Sequence, residues 1–448
     1  MLDLCTAAVE RCLAAGAQQA EAFAMHRHSR AVEVRDGELE ARLDTQVRGI
    51  AVRAISNGAL AFGYTTDASA DGLAELAQRV MGNAAAADRF ADRGLPVSPA
   101  EVVARAPVIF DPQVQWLSHE DRLSFARRLE QSARAADPRI RNTSLSRCSD
   151  AVATYALAAS SGRTFSYRTT AASLVLSVIA SEGPATQRGY ASQTARFLDD
   201  LDPEDIGARA AWRGTVSLGG APVPTQRGTV ILAPEVVAEL ASNLCQALSA
   251  DAVLKGRSFL TDRIGQAVAS PALSLVDEPT LDRAMAATPF DHEGAPAESA
   301  ALIDGGVLRR YLHTWDTAVR TGLPGGGNAT RTSFRTPPDP GASNLLILGG
   351  RRSHQALLAD VKSGLFVTAS RNVGGINPAT GDYSVGASGA WINDGQIGPP
   401  VANVTIAVPL DELLANIAEV SSDARWISGQ TAVLAPTLRI DGVTIGGR

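Results

Sequence analysis

Glycine is distributed unevenly along this 448-residue chain, and its placement constrains the fold more than any other feature. In the C-terminal half it clusters at 322–327, 349–350, 374–375, between 381 and 398, and at 446–447. From residue 260 onward the segments between these clusters read mostly as strands. Glycine in such a setting marks bulges, tight turns and close backbone approaches, so this half is expected to form a curved sheet or partial barrel. The helix expected over Asp411 to Val420 interrupts it.

The N-terminal half has a different grammar. Leu2, Cys5, Val9, Cys12 and Leu13 recur at helical spacing, with Gly16 as a stop. Four short alternating runs follow, at 22–28, 31–35, 39–43 and 48–55. The turn Ser56-Asn57-Gly58 then leads into a strand at Ala59 to Tyr64. A helix is expected over 71–87. After the Pro-dotted stretch Gly94 to Pro112, Ser118 and Asp121 form a capping-box pattern for another. Strands occupy 139–180, and a helix lies around 201–210. Gly219-Gly220-Ala221-Pro222-Val223-Pro224 is the sharpest boundary in the chain. Beyond it a buried strand at 228–232 runs into a helix that starts at Pro234, where the first helical turn tolerates proline. The fold class is α+β: N-terminal helices packed on antiparallel sheet over 1–215, itself divisible near 95–115, then a β-rich domain over 222–448.

Composition excludes several functions. Lys+Arg number 41 against 47 Asp+Glu, for a net charge of −6. Only Lys255 and Lys362 are lysines, and the arginines form no basic stripe, so direct nucleic-acid contact is not expected. No run of about 18 apolar residues suggests a membrane span. The N-terminus lacks the pattern of a signal peptide. The cysteines at 5, 12, 148 and 245 form no CxxC pair. These features together point to the reducing cytoplasm.

Searching for chemistry yields candidates but no complete catalytic set. His26 and His28 share one strand face and could pair on a metal, although a solvated face is the plainer reading. His119-Glu120 has no second histidine after it and reads as a helix start. His313 and His354 stand isolated. Asp291-His292-Glu293-Gly294, read as a strand, would turn Asp291 and Glu293 to one side and His292 to the other. That carboxylate pair could act as acid and base or hold a cation, but more often such a pair holds arginines or caps a turn. Gly386-Ala387-Ser388-Gly389-Ala390 lacks the last glycine of a nucleophile elbow, and Gly325-Gly326-Gly327-Asn328 lacks the Lys-Ser/Thr of a phosphate loop.

The order of C-terminal segments is more specific. Lys255-Gly256-Arg257-Ser258 precedes Arg263 to Ser270, then Val276-Asp277-Glu278-Pro279 and Phe290 to Pro296. Leu302-Ile303-Asp304-Gly305-Gly306 follows, then Gly327-Asn328-Ala329-Thr330-Arg331, Asn377 to Ser384 and Gly386-Ala387-Ser388-Gly389. This series resembles the TldD/PmbA family, also labelled modulators of DNA gyrase, over nearly the whole chain. In the TldD type an HExxxH helix binds zinc and activates water. Here the matching positions are Ala241-Ser242-Asn243-Leu244-Cys245-Gln246, with Ala241 and Gln246 in place of the histidines and Ser242 in place of the glutamate.

The chain therefore resembles the PmbA (TldE) type. The resemblance implies a metal-free, non-catalytic subunit whose HExxxH-bearing partner carries the zinc, the pair degrading or trimming small unfolded or modified peptides. No cofactor is expected in this chain. Candidate cavity or peptide contacts are Asp291, Glu293, Asn328, Asp382, Ser384, Gly386 and Gly389, the glycines permitting a peptide to approach as an added strand. Two alternatives stay open: an amide hydrolase subunit dedicated to a natural-product pathway, and a metal-free homodimeric peptide-binding protein.

Overall fold

The computed structural model describes residues 1–89, 94–96, 105–429 and 431–447. The expected linker Gly94 to Pro112 thus lies partly outside the described residues. The N-terminal half is built on one six-stranded antiparallel sheet. In chain order its elements are α1 (Leu2–Ala14), β1 (Gln19–Arg35), β2 (Glu38–Ser56), β3 (Ala59–Thr65), α2 (Ala70–Ala86), α3 (Pro112–Trp116), α4 (His119–Ala136), β4 (Ile140–Ala159), β5 (Thr164–Glu182), β6 (Ala185–Ala195) and α5 (Pro203–Thr215). The strand order is β3-β2-β1-β4-β5-β6, so strands from both sides of residues 95–115 share the sheet.

Local signals set the ends of these elements. Asn57 and Gly58 both take positive φ, the backbone a tight hairpin needs. The Ser118 hydroxyl accepts from Asp121 N while the Asp121 carboxylate accepts from Ser118 N, closing the capping box. The four short runs expected between 22 and 55 are instead two long strands joined at Asp36-Gly37. Their polar middles look like breaks in sequence, but the hairpin ladder carries them. The first helix ends at Ala14, just before Gly16, and the helix expected near 201–210 runs from Pro203 to Thr215. Strand β6 went unread because Gln187, Arg188 and Gly189 break the apolar pattern. A Cβ at Gly189 would lie 2.0 Å from Ala210 O, so α5 packs closely there.

One face of the sheet is covered by helices. Even-numbered residues of β1, such as Ala20, Ala22 and Ala24, pack under α1 and α2 with Leu73, Leu76 and Val80. Farther along, Val32, Val34, Leu174 and Leu176 pack under α4 and α5. The opposite face meets the C-terminal half through Phe23, Met25, Leu157, Phe165 and Phe334.

The C-terminal half comprises β7 (Gln226–Leu232), α6 (Pro234–Ala247), α7 (Ala250–Leu254), β8 (Leu275–Asp277), β9 (Ala300–Asp304), β10 (Val307–Leu308), α8 (Trp315–Thr321), β11 (Ala329–Thr330), β12 (Asp339–Pro340), β13 (Asn344–Ile347), α9 (His354–Ala359), β14 (Ser363–Arg371), β15 (Ile376–Asn377), β16 (Asp382–Asn393), β17 (Gln396–Pro409), α10 (Leu410–Ala415), β18 (Ile417–Val420), β19 (Arg425–Ile427), β20 (Ala432–Ala435) and β21 (Leu438–Gly446). Strands β14-β7-β21-β17-β16 are consecutive neighbours, and β16 pairs back onto β14, closing a five-stranded barrel. A second, curved sheet has the order β10-β9-β8-β13-β20-β19. The helix expected over 411–420 stops at Ala415, and Ile417–Val420 is a strand paired with β21. That pairing joins residues about twenty apart, and its ladder outweighs the helical reading of the segment.

Candidate functional site

Helix α6 meets the N-terminal half through Glu235, which pairs with Arg209 and Arg213 of α5. It starts directly after β7, with Pro234 in its first turn. Val236, Val237, Leu240, Ala241, Leu244 and Cys245 face the apolar core. The opposite side presents Glu235, Glu239, Ser242, Asn243 and Gln246 to a cavity of about 460 Å³. Spacings of three, four and seven put these side chains on one helical face. Tyr190 and Ser192 of β6, Arg213 of α5, and the segments around Val373 and Ile427 complete the walls.

The two glutamates of this face differ in state. Glu235 accepts from Arg425 Nη2 at 2.9 and 2.8 Å and has Arg209 and Arg213 at 3.6 Å. Burial opposes its ionisation, but Arg213 and Arg425 outweigh burial and hold the carboxyl below the usual range. Glu239 lies one turn on and takes a hydrogen bond from the Ser370 hydroxyl. Burial raises its pKa, and the Ser370 bond and Arg213 only partly oppose that.

The residues present do not fit zinc. Of the positions that the family resemblance sets against HExxxH, Ser242 and Gln246 face the cavity and Ala241 is in the core at 3% exposure. A zinc site needs imidazole, thiolate or free carboxylate donors. Cys245 points into the core, where burial pushes its thiol up to about 12. Glu235 is committed to arginines. Among the described residues no group of three or more His, Cys, Asp or Glu side chains is arranged to hold a metal ion.

The other residues singled out in the sequence divide into two groups. Asp291 and Glu293 belong to a tight turn, not a strand, with Gly294 at φ +74°. Asp291 Oδ1 accepts from Glu293 N and Ala295 N at 2.9 Å, and Oδ2 accepts from Ala329 N at 3.2 Å. Burial and the neighbouring Glu293 charge raise its pKa. Glu293 accepts from Arg53 Nη1 and Trp315 N, each at 2.7 Å. Arg53 also forks onto Glu21, which Arg331 reaches at 3.0 Å. These four charged side chains are 1–4% exposed and tie the N-terminal sheet to the C-terminal half. His292 Nδ1 accepts from Arg331 N at 2.7 Å, and burial pushes the imidazole down to about 3. Asn328, 3% exposed, donates to Asp277 Oδ2 at 2.9 Å.

Asp382, Ser384, Gly386 and Gly389 lie apart from this cluster, on β16. Asp382 and Ser384 are exposed, and the Thr380 hydroxyl donates to Asp382. Gly389 is required by the barrel itself, because a Cβ there would sit 1.8 Å from Phe366 O. Gly386 has ordinary room, its nearest atom being Arg371 Cβ at 3.4 Å. His26 and His28 are set on β1, where His28 Nε2 lies 2.7 Å from Asp44. His313 is buried, with Nδ1 3.3 Å from the Thr317 hydroxyl. Sequence reasoning missed Glu235, Glu239 and Arg213. The i, i+4 glutamates opposite an apolar stripe were the available signal.

Similarity to known proteins agrees with this architecture. Three family models match in order: PmbA/TldA metallopeptidase domain 1 over residues 20–84, the central domain over 116–218 and the C-terminal domain over 225–447. Metalloprotease PmbA of Escherichia coli O157:H7 is 33% identical over 329 residues, covering 73% of this chain and 71% of that protein. A metalloprotease of Methanothermobacter thermautotrophicus is 27% identical and covers 92% of both chains. The crystal structure of TldE from Thermococcus kodakarensis superposes with a TM-score of 0.87 at 19% identity, over 99% of each chain, which establishes a shared fold. From the ordered domain matches and the relatives together, the chain belongs to the PmbA/TldD metallopeptidase family.

Proposed function

We propose that this chain is the metal-free, non-catalytic subunit of a heteromeric zinc metallopeptidase. An HExxxH-bearing family member carries the zinc, and the assembly degrades or trims small unfolded or modified peptides. The supporting observation is the α6 face, which keeps a peptide-sized cavity of about 460 Å³ but carries Ser242, Asn243 and Gln246 beside an arginine-bound Glu235. Within the assembly this chain walls the chamber and holds peptide, and the partner breaks the amide bond. Residues on the α6 face offer hydroxyl and amide hydrogen bonds to an extended backbone, and Glu239 offers a carboxyl. No helix among the described residues is long and apolar enough to cross a membrane. All four cysteines are free and buried, in keeping with a reducing cytoplasm.

The experiment is co-expression with an HExxxH-bearing paralogue from the same genome, followed by metal analysis and a peptide-cleavage assay. The expected result is no stoichiometric zinc and no cleavage with this chain alone. The co-purified pair should hold zinc and show cleavage that a chelator abolishes. Stoichiometric zinc in this chain alone, or cleavage by it alone, would overturn the reading, as would failure of the two chains to associate.

A further inference from the structure

The face of the N-terminal sheet opposite α4 and α5 carries a second cavity, with a charge pattern of its own. Its floor follows the strand register. Arg27 of β1 lies opposite Ala153, which lies opposite Thr169; Ser29 lies opposite Ala151, which lies opposite Ala171. The next row pairs Ala31, Ser149, Ser173 and Thr194. Small side chains at these positions leave a trough in the sheet, roofed at one end by residues 285–288. The part beneath these residues has a volume of about 280 Å³. It continues into a second hollow of about 200 Å³ that shares Arg27, Ala151, Ala171 and Met285 with it. The two hollows together form one continuous groove along the sheet.

Arg196, just past β6, forms part of the wall under residues 285–288. It donates through Nη1 to the Thr169 hydroxyl and Thr170 O, and through Nη2 to Ala287 O; its Nε is buried without a partner. Every acceptor is neutral, and among the described residues no carboxylate forms an ion pair with it. Elsewhere the protein does pair such groups: Arg53 and Arg331 have Glu21, and Arg122 and Arg30 share Asp150. Arg27, exposed at the other side of the trough, bonds the Ser29 hydroxyl, and among the described residues no carboxylate pairs with it. Asp291 also lines the cavity, but both its oxygens are taken by backbone N–H groups. A half-buried guanidinium without a counter-ion is costly to maintain, and an incoming oxyanion relieves that cost.

We propose that this cavity is an oxyanion subsite that receives the C-terminal carboxylate of an extended peptide. Arg196 holds the carboxylate beneath residues 285–288, Arg27 flanks it, and the preceding residues run along the Ala/Ser trough. A planar guanidinium suits a carboxylate, and apart from Arg27 the floor positions named above carry side chains no larger than Thr, leaving space for a main chain. That the oxyanion belongs to a peptide rests on the function proposed above; the preference for an oxyanion does not.

The test uses the full chain and three probes: N-acetyl-trialanine with a free carboxyl, the same tripeptide as its C-terminal amide, and inorganic phosphate. Binding is measured by calorimetry. The acid should bind at least tenfold more tightly than the amide and more tightly than phosphate. Arg196→Gln should abolish that preference. Arg27→Gln and Ala171→Leu, which removes the flanking charge and fills the trough respectively, should each weaken the acid at least threefold with an unchanged unfolding midpoint. These two decide the matter if Arg196→Gln fails to fold. Equal binding of acid and amide would overturn the subsite, as would phosphate binding more tightly than the peptide acid. Acid binding left unchanged by both Arg27→Gln and Ala171→Leu would overturn it too. Failure to associate with an HExxxH partner would sink the proposed function while leaving acid-over-amide selectivity intact; loss of selectivity would sink the subsite alone.

Discussion

Replacing Glu293 with Gln tests whether the Asp291–Glu293 pair is structural. In the folded protein Glu293 and Glu21 balance Arg53 and Arg331, two negative charges against two positive, with all four side chains 1–4% exposed. Glu293→Gln leaves Glu21 as the one carboxylate bonded to both arginines, a buried excess of positive charge that Asp291, its oxygens held by backbone N–H groups, offsets only in part. Burial and Arg53 already press Arg331 down to about 10, so the site has little tolerance for excess positive charge. Breaking one partner of a buried ion pair costs about 3–5 kcal/mol, against about 0–1 kcal/mol for an exposed pair. The substitution should therefore lower unfolding stability by about 3–5 kcal/mol, read from urea titrations followed by circular dichroism and tryptophan fluorescence. Arg53→Gln combined with Glu293→Gln restores neutrality, leaving Glu21 with Arg331. The double variant should lose less than the sum of the singles, with a coupling of about 2 kcal/mol or more. A single-variant loss below about 1 kcal/mol with additive behaviour would refute the argument. If Glu293 served peptide contact instead, the loss would fall on peptide binding by the assembly and leave stability unmoved.

Two further predictions follow from the same geometry. Burial raises Asp277 to about 6 against the hydrogen bonds from Ser343 and Asn328, so between about pH 4 and pH 6 the folded state holds a proton that the unfolded state has lost. Its contribution is present below about pH 4 and is lost as pH rises through 6, a change of about 3 kcal/mol; the stability difference between wild type and Asp277→Asn should fall across that window and then level off, and a difference independent of pH would contradict it. On β16, Gly389→Ala puts a methyl 1.8 Å from Phe366 O and should cost at least about 2 kcal/mol or prevent folding, whereas Gly386→Ala, with 3.4 Å to its nearest atom, should stay within about 1 kcal/mol in thermal unfolding. Equal stability of the two variants would refute the assignment of Gly389 to the barrel.

Short-range chemistry made much of the fold legible. The Ser118/Asp121 capping box, the Asn57-Gly58 hairpin and Pro234 at a helix start each involve residues within a turn of one another, so their local energetics resemble those of an isolated peptide. Failures occurred where distant pairing overrides local preference. The polar middles of β1 and β2 read as gaps because each strand's regularity depends on its neighbours. Ile417–Val420 became a strand because β21 offered it a ladder. Asp291 and Glu293 read as an alternating pair because nothing in sequence reveals that Ala329 N and Arg53, 38 and 240 positions away, would claim their oxygens.

By itself, then, the amino-acid sequence determined the α+β class and the glycine-dense β-rich half, while the reading of Ala241, Ser242 and Gln246 as standing in place of an HExxxH set came from the family resemblance. The first two are matters of residue identity and near-neighbour spacing. Only the tertiary structure decided the closure of the five-stranded barrel through β14 and β16, the arginine lock on Glu235, and the placing of Arg196 in the trough wall, where among the described residues no carboxylate pairs with it. Closure needs hydrogen bonds between strands far apart in the chain. The state of a charge depends on what burial removes and which counter-ions the fold brings near, and neither is written in local sequence.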